Sequence, residues 1–199
     1  MKLSKKQTLV VLLLLLFSAL NLNAQSGTYE KKNKNGSYCY ISFNKNGEHI
    51  KSEIFAWWNT ANAQTGSYYG EGVLKSNTCV LKSDENEPDC KVVITVEKSG
   101  LKASYERCST DHLTEDFNGL YNKITDATAG DYIVTASKSY FHKKADATTK
   151  LKTYVVKGNK VTLNIDRVTA GKLVYVYYTN PAGKETSGYL SLADLKKVD

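Results

Sequence analysis

Along most of the chain, apolar and polar positions alternate with a period of two, the patterning of strands half-buried on a sheet. SYCYISF (37–43) alternates aromatic and β-branched residues with small polar ones before the turn residues NKNGE. HIKSEIFAWW (49–58), YYGEGVL (68–74), CKVVITVE (90–97) and LKASYERC (101–108) follow at hairpin spacing, with Gly, Asn or Ser between them. DYIVTAS (131–137), KSYFHKKAD (138–146), LKTYVVKGNKVTLNI (151–165) and the segment from Lys172 to Val198 continue the pattern. Apart from the N-terminal apolar run and a short helical turn in LSLADLKKV, no window carries a three-four apolar repeat. Short strands at regular spacing predict an all-β chain, a disulfide-bonded sandwich or barrel followed by a small barrel.

Two turns are specific. NPAG (180–183) joins a hairpin, with Pro181 fixing φ and Gly183 supplying positive φ, and Gly158-Asn159 offers another turn. In 90–108, a two-residue Ser99-Gly100 loop would set Val96 opposite Ala103 and Ile94 opposite Tyr105. That register leaves Cys90 and Cys108 on opposite sides, and a bulge or longer turn would align them.

The N-terminus changes the picture. Lys2, Lys5 and Lys6 precede the apolar run TLVVLLLLLFSAL, and NLNAQ offers Ala24 before a cut. This is the layout of a secretory signal peptide (1–24), and the run is too short for a comfortable membrane span. Its ending resembles signal peptides of Gram-negative bacteria. The expected mature chain is periplasmic or secreted, with no membrane span.

All four cysteines, Cys39, Cys79, Cys90 and Cys108, lie beyond that cut. In an oxidising compartment they read as two disulfides with three connectivities open; the pairing favoured is Cys90–Cys108 with a bulge, leaving Cys39–Cys79 by elimination. No C-x-x-C pair exists, so zinc is not expected.

Charge divides the chain. Residues 25–125 carry 12 Lys/Arg against 13 Asp/Glu, whereas residues 126–199 carry 12 against 7. The basic half fits an anionic wall or outer-membrane polymer better than nucleic acid, or else a lysine-rich solubility surface. The cysteines and both tryptophans stop by Cys108, and NKITDATAGDY (122–132) reads as a polar connector. The expected units are a disulfide-containing β domain at 25–124 and a second at 130–199.

Candidate chemistry is sparse. His49, His112 and His142 fall one per segment, with no H-E-x-x-H, and no G-x-S-x-G elbow is present. Ser109, Asp111 and His112 sit together in CSTDH, but triads assemble in space and not along five residues. The acidic run SDENEPDC (83–90) lacks the glycine and glutamate of an EF-hand. No catalytic residue, metal or cofactor is expected.

The aromatics are the candidate binding residues. Trp57, Trp58, Tyr68 and Tyr69 stand in adjacent pairs, so one of each pair can enter a core while the other faces out. Tyr140, Tyr177 and Tyr189, with Tyr175 and Tyr178, could line a groove in the second half. Packing within the sheet accounts for any single ring as well.

YFHKKAD, YVVKGNKV and VYVYYTNPAGKETSGYLSLADL together resemble the bacterial SH3-like domain, over about 70 residues. The family places Trp after the last hairpin's glycine, where this chain has Tyr189. The first half is similar, in a Gly-Cys-strand rhythm, to small periplasmic β domains found beside lysozyme-inhibitor-like modules, without their Ser-Gly-x-x-Tyr motif. The absence of catalytic spacing, the disulfides and a basic terminal module that resembles the SH3-like domain point to a non-enzymatic binding protein of the cell envelope, and no inhibitor function carries over from the first half's resemblance. Peptidoglycan, another anionic polymer or a protein such as a wall hydrolase would be its partner; inhibition of that hydrolase is the narrower alternative. A hydrolase with scattered site residues is the alternative of another class.

Overall fold

A computed structural model describes residues 26–198; the expected signal peptide and its cut after Ala24 lie outside them. The fold is all-β, 57% strand and 7% helix, the helix occurring only as 3-10 turns among the described residues.

The first sheet comprises β1 (Gly27–Lys32), β2 (Tyr38–Asn46), β3 (His49–Trp57) and β4 (Thr65–Val73). It continues through β5 (Thr78–Leu81), β6 (Lys91–Glu97), β7 (Gly100–Glu106) and β8 (Gly119–Thr125). The eight strands run antiparallel in the order β4-β3-β2-β1-β8-β7-β6-β5. The outer strands β4 and β5 meet through the bridges Glu71–Lys82 and Lys75–Thr78, which nearly closes a barrel. At that turn Ser76 and Asn77 have φ of 48° and 66°, the left-handed pair that a tight two-residue hairpin requires.

Glycine permits the closure. The inward positions of β4 are Gly66, Tyr68, Gly70 and Gly72. A Cβ on Gly72 would stand 2.5 Å from the Cys79 sulfur and from the Val80 carbonyl, so only glycine lets β5 come this close. Aromatic side chains fill the interior: Tyr29, Phe43, Tyr68, Tyr105, Phe117 and Tyr121 are all buried. Their polar tips are paired, with the Tyr105 and Tyr121 hydroxyls 3.1 Å apart and Tyr121 donating to the Phe117 carbonyl at 2.7 Å.

Cys90 and Cys108 form the expected disulfide, but by a different route. The β6–β7 loop is Lys98-Ser99, so Val96 lies opposite Leu101, Ile94 opposite Ala103 and Val92 opposite Tyr105. The strands therefore slide by two residues from the Ser99-Gly100 register. Beyond the last pair, Arg107 adopts φ 58° and swings Cys108 to within 4.4 Å (Cα–Cα) of Cys90.

The Cys39–Cys79 bridge does not form; both are buried free thiols. Strand register explains it. Cys39 is level with Ala56 and Gly66, whereas Cys79 packs under Gly72. Six residues of β4 separate those levels, about 20 Å at the usual strand rise, far beyond the reach of a disulfide.

The connector is shorter than the composition suggested. Asn122–Thr125 belongs to β8, where Tyr29 of β1 pairs with Lys123 and so completes the barrel. Only residues 126–129 link the sheets, and Ala127 and Thr128 are buried.

The second sheet comprises β9 (Gly130–Val134), β10 (Lys138–His142), β11 (Lys150–Val156) and β12 (Lys160–Leu163). β13 (Leu173–Thr179), β14 (Glu185–Ser191) and β15 (Leu195–Lys197) complete it, in the order β11-β10-β14-β13-β12-β9-β15. The turns at 158–159 and 180–183 form as expected, with Gly158 and Gly183 at φ 89° and 78°. The C-terminal helical turn is a single 3-10 turn, Leu192–Asp194, after which the chain returns to strand and β15 pairs with β9. Val134, Phe141, Val155, Val161, Val174, Val176 and Leu190 make this sheet's own core.

The two units are packed together. Tyr40 and Phe55, on the barrel's outer face, pack against the second core. Buried hydroxyls lock the junction: Thr28 donates to the Ala127 carbonyl (2.7 Å), Thr125 donates to Gly171 O (2.9 Å), and Ser42 accepts from the Ala129 N–H (2.7 Å). Among the described residues no helix is long and apolar enough to cross a membrane.

Candidate functional site: a tyrosine face on the second sheet

The expected aromatic residues separate into packing and presenting groups. Tyr68 points into the barrel, 2% exposed, and packs there instead of facing a ligand. Trp58 lies just past β3 and plugs the barrel end. Its ring meets Phe117 edge-on at 4.8 Å and its Nε1 donates to the His112 carbonyl at 2.8 Å. Trp57, on the outer face, sits across from Tyr38 in the register, and Tyr38 in turn packs on Tyr40 and Phe55. Tyr69 faces out and donates to Glu71 at 2.8 Å.

Tyr140, Tyr177 and Tyr189 share one face. In β10, β13 and β14 the residues alternate so that Phe141, Val174, Val176 and Leu190 turn inward and Tyr140, His142, Tyr175, Tyr177 and Tyr189 turn outward. Antiparallel pairing then sets the outward residues side by side. Tyr140 lies opposite Tyr154 with ring centroids 5.5 Å apart, and His142 lies opposite Tyr189. Tyr189 lies opposite Tyr175 at 5.1 Å, and Tyr175 meets Tyr177 at 5.5 Å. Five tyrosines and one histidine thus cross β11, β10, β14 and β13 as one stripe. Tyr178, by contrast, packs against the core.

Cations border the stripe. The Lys150 ammonium lies 3.8 Å from the Tyr140 ring centroid and that of Lys138 4.6 Å from Tyr154. Such contacts anchor the lysine heads over the rings. At the other end, Tyr177 borders a depression of ≈ 530 Å³ lined also by Lys160, Thr162 and Glu185. The Tyr175 hydroxyl donates to Ser187 at 2.9 Å, which fixes its ring. Tyr154 is exposed and the other four rings partly so; such rings offer flat apolar faces with polar rims, suited to stacking against a sugar ring.

Tyr154, Lys138 and Lys150 are the members that sequence reading missed. Tyr154 is visible only as an outward residue of β11, and its place beside Tyr140 depends on a cross-strand register.

Asp111, His112 and the other two histidines are held in separate arrangements. Asp111 accepts from the Asn86 amide at 2.8 Å and His112 pairs with Gln64 at 2.8 Å, so neither orients the other. His49 lies on β3, His112 in a turn and His142 on the tyrosine face, each in a different place. In the acidic segment Ser83 and Asn86 form a capped turn that also holds the Tyr69 N–H. Among the described residues no three His, Cys, Asp or Glu side chains are grouped to hold a metal ion. Burial pushes the Cys39 thiol up to about 11, against the opposing pull of its Tyr121 and Tyr105 hydrogen bonds, and burial raises Cys79 also. Raised thiols of this kind are poor nucleophiles.

Fold and face together define an all-β protein with a nearly closed eight-stranded barrel-like sheet and a second sheet whose outer surface is aromatic and basic. No family model matches the chain, and no curated protein or solved structure matches it.

Proposed function

We propose that the chain is an exported, non-enzymatic binding protein of the cell envelope, and that the tyrosine face of its second sheet grips an anionic, sugar-based wall polymer. The observation that carries this reading is the continuous stripe from Tyr154 to Tyr177 with lysine ammonium groups held over its rings. Sugar rings stack on the tyrosines while Lys138, Lys150 and the excess of 12 Lys/Arg over 7 Asp/Glu in residues 126–199 draw in carboxylates or phosphates. The resemblance to bacterial SH3-like domains supports the same assignment, with Tyr189 standing where that family places Trp. The leader at 1–24 supports export.

Co-sedimentation with isolated peptidoglycan tests the reading, with an uncharged glucan as control. The protein should pellet with peptidoglycan and not with glucan, and rising salt should release it. Absence from the peptidoglycan pellet at low salt, or equal retention on both polymers, overturns the assignment. A tight complex with a wall hydrolase in place of polymer binding would favour an inhibitor instead.

A further inference from the structure

His142 is the one ring of the outward stripe that is not a tyrosine, and it is short of partners. β10 sets it opposite Tyr189 of β14 on one side and Lys150 of β11 on the other. Gly188 lets β14 come close, since a Cβ there would stand 3.1 Å from the His142 carbonyl. The ring's Nδ1 is buried and makes no hydrogen bond among the described residues. Nε2 makes none either and lies open at the surface of the stripe. Asp146, at the N-cap of the 3-10 turn Ala147–Thr149, accepts from the Thr148 N–H at 2.9 Å and makes no hydrogen bond to the ring.

A neutral imidazole carries one proton, on either nitrogen. On Nδ1 it would be a buried N–H with no acceptor, which folded proteins avoid more strictly than a buried lone pair. The proton therefore sits on Nε2, and the ring presents an N–H donor to whatever lies on the stripe. Lys150 adds charge beside it. Directly opposed residues of antiparallel strands have Cβ atoms about 5 Å apart. The Lys150 ammonium rests over the Tyr140 ring, which holds it in place without neutralising it, and it makes no ion pair among the described residues. A hydroxyl of a neutral sugar would use the donor and leave the cation unmatched. A donor and an unneutralised cation side by side suit a single anionic group.

We infer that His142 and Lys150 together hold one carboxylate or phosphate of the polymer, with the Nε2–H of His142 donating to its oxygen. The inference rests on the polymer reading above. It makes this pair the residues that tell an anionic polymer from a neutral one.

Retention on cellulose, carboxymethyl cellulose and phosphocellulose at about pH 8, beside isolated peptidoglycan, tests it. The three celluloses share a backbone and differ in the anionic group. At that pH imidazole is uncharged, so replacing His142 leaves general ion exchange as it was. His142→Phe should melt close to wild type and lose about tenfold in retention on peptidoglycan and on at least one charged cellulose, with none on cellulose itself. A loss confined to phosphocellulose identifies phosphate as the group held, and one confined to carboxymethyl cellulose identifies carboxylate. His142→Gln, whose amide N–H can stand where Nε2 stood, should restore most of the retention, whereas the shorter His142→Asn should not. Because Gln and Asn differ only in reach, their comparison decides the point even if phenylalanine disturbs the sheet. Lys150→Gln should lose retention on the same matrices as His142→Phe. If wild type binds peptidoglycan and His142→Phe binds equally, or if Gln and Asn behave alike, the His142 donor is overturned and the polymer reading stands. If wild type does not bind peptidoglycan, both fall.

Discussion

The two sheets use tyrosine in opposite ways. In the barrel, Tyr29, Tyr68, Tyr105 and Tyr121 turn inward and fill the interior. In the second sheet the core is Val, Leu, Ile and Phe with Tyr132, while Tyr140, Tyr154, Tyr175, Tyr177 and Tyr189 stand outside. An eight-stranded barrel has a wide interior that aromatic rings can span. The second sheet needs no outward ring to close its core. The same residue type is therefore structural in one unit and available for recognition in the other.

Single substitutions should separate these roles, most of all inside the barrel. Tyr121→Ala removes a buried ring and leaves the Tyr105 hydroxyl only its contact with the Cys39 sulfur at 3.8 Å, so urea unfolding should show a loss of about 3–5 kcal/mol. Tyr189→Ala should cost about 1 kcal/mol or less, as expected of a partly exposed site. Equal losses would erase the contrast.

Replacing both Cys90 and Cys108 with alanine opens the loop behind β6 and β7 and should cost about 2–4 kcal/mol. Thiol titration of the wild type should find no reactive sulfhydryl in the folded protein and two, Cys39 and Cys79, after denaturation. At the junction, Ser42→Ala removes the acceptor of the Ala129 N–H and should cost about 1 kcal/mol.

The smallest effect is in acid. Lys160 first, and then Thr162, holds the Asp131 carboxyl below its ordinary 3.8. A depressed folded value gives stability that is present above pH 3.8 and fades as pH falls through the folded value. Asp131→Asn should therefore flatten the acid limb of the second sheet's unfolding curve below that pH, only slightly because the side chain is partly solvated.

How much of this was legible varies with the range of the interaction. Alternation in SYCYISF and VYVYY marked the strands, and local turn chemistry marked Gly158 and Gly183. Partner choice was not visible, because alternation gives a strand its faces but no neighbour: Tyr29 opposite Lys123 links residues at the two ends of the barrel. The same gap produced the wrong pairing for Cys39 and Cys79, whose separation is set by position along β4. Composition misled at Asn122–Thr125, where polar residues that read as a linker are the outward and rim positions of a closing strand. For the tyrosine face, Tyr140, Tyr177 and Tyr189 were within reach of sequence reasoning. Tyr154 and its bordering lysines needed the β10–β11 register.

The most direct test of the division between packing and presenting tyrosines is Tyr175→Ala/Tyr189→Ala, measured for melting temperature and for retention on isolated peptidoglycan. The variant should melt close to wild type and lose about tenfold or more in retention. Wild-type retention from a variant missing both rings, or collapse of the fold without them, would contradict the assignment of this face to recognition.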